Sequence, residues 1–96
     1  MTVNQKLFGV LKGKALASMQ VTPSAVTLHF ADGAVMTVQG TGPAVVATKG
    51  AVKSVSETGA ALGVAFDDGV SVTITMADPG GSVMVRDKGN RVIYAG

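Results

Sequence analysis

Residues 25–39 read AVTLHFADGAVMTVQ, and residues 61–75 read ALGVAFDDGVSVTIT. In the first stretch Val26, Leu28 and Phe30 alternate with Ala25, Thr27, His29 and Ala31. In the second, Leu62, Val64 and Phe66 alternate with Ala61, Gly63, Ala65 and Asp67. A period of two gives a strand one core face and one opposite face. Each strand then runs into an Asp-Gly pair, the chemistry of a hairpin turn. Register decides the loop length. A two-residue loop at Asp32-Gly33 sets Leu28 opposite Thr37 and mixes the faces, whereas a three-residue loop, Ala31-Asp32-Gly33, sets Leu28 opposite Met36 and Val26 opposite Val38. With Asp67-Asp68-Gly69 as loop, Val64 likewise faces Val72 and Leu62 faces Ile74. Core meets core in both hairpins only with three-residue loops, which place a glycine at the left-handed position of a bulged turn.

The two stretches belong to a longer correspondence. Sliding 16–39 onto 52–75 gives seven identities in twenty-four positions, namely Ser18/Ser54, Thr22/Thr58, Ala25/Ala61, Phe30/Phe66, Asp32/Asp68, Gly33/Gly69 and Thr37/Thr73. Chance in a chain of this composition gives roughly two. The apolar positions match as well, from Leu16/Val52 to Val38/Ile74. The sequence therefore predicts internal repeats at about 12–40 and 49–76, each a strand, a turn, a strand, an Asp-Gly turn and a strand.

All three prolines fall between these strands, where a missing N–H costs no ladder bond. A third hairpin is predicted at 82–95 around Asp87-Lys88-Gly89-Asn90, with Val83 aligned to Tyr94, Val85 to Val92 and Arg86 to Arg91. Residues 4–12 read as a short helix capped by Asn4, carrying Leu7, Val10 and Leu11 on one face and stopped at Gly13. Residues 43–49 fit a one-turn helix or a strand equally well. A half of this size cannot bury its own apolar face. The expectation is thus one all-β domain over 1–96 with a short N-terminal helix. Its pseudo-symmetric duplicated hairpin units pack as a small two-sheet roll or barrel, closed by the C-terminal hairpin.

Composition sets limits on function. The chain has 96 residues, 47% apolar and 15% charged, against roughly 25% charged in ordinary soluble domains. So little charge implies a face buried against a partner. A net charge of +2 does not by itself call for nucleic acid. There is no cysteine, hence no disulfide or thiolate metal site. No apolar run is long enough for a bilayer-spanning helix or a secretory leader, so a cytoplasmic location without a membrane partner is expected.

Each candidate residue also has an ordinary structural role. His29, the one histidine, lies opposite the core face with no polar partner in view, and its counterpart is Ala65; catalysis would require more. Asp32, Asp67, Asp68, Asp78 and Asp87 all sit in turns, where aspartate is common for backbone reasons. Gly40-Thr41-Gly42-Pro43 lacks the remainder of either phosphate-binding fingerprint and reads as a linker. Basic residues form two groups. Lys12, Lys14, Lys49 and Lys53 occupy related places in the two repeats, and Arg86, Lys88 and Arg91 cluster on the last hairpin. Together Lys12, Lys49, Arg86, Lys88 and Arg91 are the candidate anion site. Ala61, Gly63 and Ala65, beside Ser71, Thr73 and Thr75, make a small-residue stripe that suits close approach of another layer, whether of the same chain or of another subunit, the candidate interface. No nucleophile–base pair or metal-ligand spacing is visible, and no cofactor is expected. The sequence points to a non-enzymatic assembly or binding module that forms homo-oligomers. A weak anion or nucleic-acid binder is the alternative.

Overall fold

The computed structural model describes residues 2–3, 5–42, 49–78 and 81–96. Its elements are β1 (Thr2–Val3), α1 (Gln5–Leu11), β2 (Leu16–Val21), β3 (Ala25–Phe30), β4 (Val35–Thr41), β5 (Val52–Thr58), β6 (Ala61–Phe66), β7 (Ser71–Met76), β8 (Val83–Arg86) and β9 (Val92–Ala95). Among the described residues the protein is antiparallel β-sheet with one short helix. The helix that the apolar spacing predicts is present, with Leu7 and Leu11 buried, and Gly13 follows it at φ 76°. The Asn4 cap and residues 43–48 lie outside the described residues.

Alternation in sequence becomes alternation in burial. Along both β3 and β6 every second side chain is buried, and β7 repeats the pattern. Val26, Leu28, Met36, Val38, Leu62, Val64, Val72 and Ile74 join Leu7, Leu11, Val83 and Val85 in one continuous core. Each fully buried side chain of this kind contributes roughly 1.5–3 kcal/mol relative to exposure.

The β3–β4 hairpin pairs Leu28 with Met36 and Val26 with Val38, and β6–β7 pairs Val64 with Val72 and Leu62 with Ile74. Both are the registers that three-residue loops require. Gly33 (φ 92°) and Gly69 (φ 89°) close the turns in the left-handed region. The aspartates before them cap the turn: Asp32 Oδ1 accepts from Ala34 N at 2.9 Å and Asp68 Oδ1 from Val70 N at 3.1 Å.

Strand order is β1-β5-β6-β7-β4-β3-β2, with β8 attached to β4 and β9 to β8. The path is open, ending on β1 and β2. The starts of β2 and β5 nevertheless meet: Ala15 bridges Ala51, Leu16 N donates to Gly50 O (2.8 Å) and Val52 N donates to Lys14 O (3.0 Å).

Three expectations need correction. The C-terminal hairpin does not close the sheet; it branches from β4, pairing Val83–Arg86 with Val35–Val38. Its own register also differs. Val85 pairs with Tyr94 and Arg86 with Val92, across a bulge, so Arg86 is not opposite Arg91 and Val83 is not opposite Tyr94. The cause is the turn. Asp87 Oδ1 accepts from both Gly89 N (2.9 Å) and Arg91 N (3.0 Å), and Asn90 rather than Gly89 takes the positive φ of 67°. This consumes one more residue than a loop centred on Lys88-Gly89. Finally, Gly40 and Thr41 are not linker but the last residues of β4, where pairing passes from β8 to β7. A Cβ on Gly40 would sit 2.0 Å from Thr75 O, so only glycine permits the two backbones to approach there.

Candidate interaction face

The outer side of β5–β6–β7 is a grid of small residues fixed by register. Ala65 stands between Ser54 and Ser71, Gly63 between Ser56 and Thr73, and Ala61 between Thr58 and Thr75. None of the nine carries a charge. Ser54, Thr58, Ser71, Thr73 and Thr75 are exposed and the other four half-buried. A shallow depression of about 220 Å³ lies over Gly63 and Ala65, and its walls come solely from β5, β6 and β7. No other layer of the described chain lines it. Hydroxyls on an uncharged, low-relief surface can exchange hydrogen bonds with a facing layer without stripping water from an ion.

The outer face of the neighbouring strands is different. There the rows run Ser18, His29, Val35, Arg86 and Gln20, Thr27, Thr37, Met84. His29 is half-buried between Ser18 and Val35 across the sheet.

The basic residues separate by role. The β2–β5 seam brings the backbones of the two lysine segments together, with Gly13 N donating to Val52 O (3.2 Å), and Lys12, Lys49 and Lys53 are exposed around it. Lys14 is committed to an ion pair with Asp32. That hydrogen bond, aided by the one from Ala34 N, holds the Asp32 carboxyl below its ordinary pKa. On the last hairpin Arg86 Nη1 donates to Asn90 O at 3.1 Å, and the base of the Lys88 side chain lies against Gly33. Lys88 thus reaches the Asp32–Gly33 turn from one side while Lys14 holds it from another; Arg91 N donates to Asp87 Oδ1 within the turn of the last hairpin.

The turn aspartates serve the backbone: Asp67 Oδ1 accepts from Ala51 N at 3.0 Å and Asp68 Oδ1 from Val70 N. Among the described residues no group of three or more His, Asp or Glu side chains gathers where a metal could sit, and no helix is long and apolar enough to cross a membrane.

Sequence reading found the β6 and β7 columns of the grid but missed Ser54, Ser56 and Thr58. A bulge between Val52 and Ser54 breaks the phase of β5. The signal lay in the alternation of Ser54, Ser56 and Thr58 around buried Val55. Comparison with protein-family models, with curated proteins and with solved structures gives no match.

Proposed function

We propose that this chain is a non-enzymatic assembly module that binds further copies of itself through the outer face of β5–β7. The observation that carries this reading is the nine-residue uncharged grid, open on the described chain, in a protein with few charges elsewhere. A solvated sheet face gains nothing from such residues, whereas a second sheet packed on it gains close approach. Sedimentation across a concentration range tests it: the mass should rise to a fixed multiple of the single chain. A monomer at all concentrations would refute the reading.

The same reading takes the two three-stranded units as a duplication wrapped into a pseudo-symmetric roll. Its support is a set of matching bonds. Gly40 N to Ser24 O is answered by Met76 N to Ala60 O, and Ala31 N to Ala15 O by Asp67 N to Ala51 O. Both units also bulge at the same place, between Leu16 and Ser18 and between Val52 and Ser54. A cytoplasmic setting belongs to the reading, since a cysteine-free chain needs no oxidising compartment to fold.

Weak anion or nucleic-acid binding through Lys12, Lys49, Arg86, Lys88 and Arg91 is the alternative. It is the poorer fit, because Phe30 and Phe66 are buried and Phe8 and Tyr94 half-buried, leaving no fully exposed ring for a base to stack on. Salt-dependent binding to mixed oligonucleotides would favour it.

A further inference from the structure

The two halves of the sheet serve as controls for one another, because register gives them the same frame. Thr27 stands between Gln20 and Thr37 as Gly63 stands between Ser56 and Thr73. His29 stands between Ser18 and Val35 as Ala65 stands between Ser54 and Ser71. With the frame shared, the fold of a half does not dictate the side chains on its outer face. The central strand of β2–β4 projects a threonine and a histidine; that of β5–β7 has a hydrogen and a methyl at the same two places. The depression of about 220 Å³ lies over those places, Gly63 and Ala65. One face therefore bears side chains where the other has a hollow, at matching positions along a matching strand. Two grids set face to face would instead put hollow against hollow and leave their linings without partner atoms.

Charge at the turn ends differs in the same sense. Lys14 and Gly50 are equivalent across the seam, since Val52 N donates to Lys14 O and Leu16 N to Gly50 O. In the first half Lys14 pairs with Asp32. In the second, the Asp68 carboxyl lies against Gly50, where a Cβ would come within 3.1 Å of it, so a glycine stands in the place of the cation. Asp67 and Asp68 are exposed and bonded to backbone amides. Among the described residues neither joins an ion pair, although Lys49 and Lys53 flank the same seam. Arg86, across from Val35, and Lys88, against Gly33, likewise have no carboxylate partner there.

We infer that copies join head to tail, the outer face of β2–β4 of one seated on the outer face of β5–β7 of the next. Thr27 and His29 enter the hollow over Gly63 and Ala65, which brings the two turn ends together and sets Arg86 and Lys88 toward Asp67 and Asp68. The inference rests on the self-assembly reading and names the surface that the grid receives. Opposite charges at the rim fix the direction of docking more than its strength. Each copy has one face of each kind, so the assembly is a ring of more than two copies or an open filament, not a closed dimer.

The test uses two variants of the full chain, Thr27→Arg to block the first face and Ala65→Arg to block the second, each with the circular dichroism of the folded β-sheet. Each alone should sediment as a monomer at concentrations where wild type exceeds a dimer. Mixed one to one, they should form a dimer and nothing larger, since each keeps one working face. Lys88→Glu added to the Ala65→Arg copy should weaken that mixed dimer about fivefold. Added to the Thr27→Arg copy it should change nothing, because that copy's last hairpin lies away from the joint. A wild-type dimer, or a Thr27→Arg protein that keeps the wild-type mass, would overturn head-to-tail joining yet leave assembly through β5–β7 standing. A mixture that stays monomeric, or equal effects of Lys88→Glu in the two copies, would overturn it as well. A wild type that is monomeric at every concentration would remove both readings.

Discussion

At the scale of single residues, the two Asp-Gly turns share a backbone and differ in what surrounds them. A Cβ on Gly69 meets nothing within 4 Å, so Gly69→Ala carries only the strain of a left-handed φ, about 1 kcal/mol. A Cβ on Gly33 would lie 2.6 Å from the Cβ of Lys88, which is rooted in the backbone of the neighbouring hairpin. Gly33→Ala must therefore displace that hairpin as well and should cost about 2–3 kcal/mol in urea unfolding. Equal losses in the two variants would show that the β8–β9 tip does not rest on the first turn. Asp32 offers a test through pH. Its folded-state pKa is lowered, so its contribution is fully present above the ordinary carboxylate range and disappears as pH falls through the lowered value. Asp32→Asn keeps the acceptor for Ala34 N and removes the charge. At neutral pH it should lose up to about 1 kcal/mol, a small figure because the aspartate side chain is half exposed. The difference from wild type should vanish once pH has fallen through that lowered value, and it should shrink with salt. A pH-independent difference would mean that the pair with Lys14 contributes nothing.

Among the elements, the hairpins show what a sequence can and cannot convey. The β3–β4 and β6–β7 registers were legible because both faces carry a pattern: a slip of one residue would set Leu28 or Val64 against a polar partner. The β8–β9 register was not. Its turn is organised by the Asp87 side chain bonding two backbone amides, and no periodicity encodes that. The β4 junction was hidden for a related reason. Gly40 looks like linker glycine, but its role depends on Thr75, a residue distant in sequence and brought there by the fold. The corrected register changes what the arginines should do. Arg86 faces Val92 and bonds the carbonyl of Asn90, so nothing sets it against Arg91. Arg91→Ala should leave thermal stability unchanged, and Arg86→Ala with Arg91→Ala should cost about 0.5–1.5 kcal/mol, all of it from Arg86. A rise in melting temperature for the double variant would reveal repulsion between the two after all.

For the whole molecule, one core is shared by the two three-stranded units, the helix and the last hairpin, while the outer surface is divided. Cations gather around the β2–β5 seam and the last hairpin; the grid over β5–β7 has none. Part of that division was readable as composition, because Ala61, Gly63 and Ala65 stand where a solvated strand would carry lysine or glutamate. That no described layer of this chain lines the grid could come only from the structure, since sequence allowed either this chain or another to cover it. An open grid sharpens the expected effect of a charge placed there. Ala65 is half-buried between two exposed serines, so an arginine at its place can extend into solvent without entering the core. Sedimentation and thermal unfolding of Ala65→Arg, side by side with wild type, therefore bear most directly on self-assembly through this face. The variant should run as a monomer at concentrations where wild type is oligomeric, with a circular dichroism spectrum still that of the folded β-sheet. An Ala65→Arg protein that keeps the wild-type mass would show that copies do not meet through β5–β7.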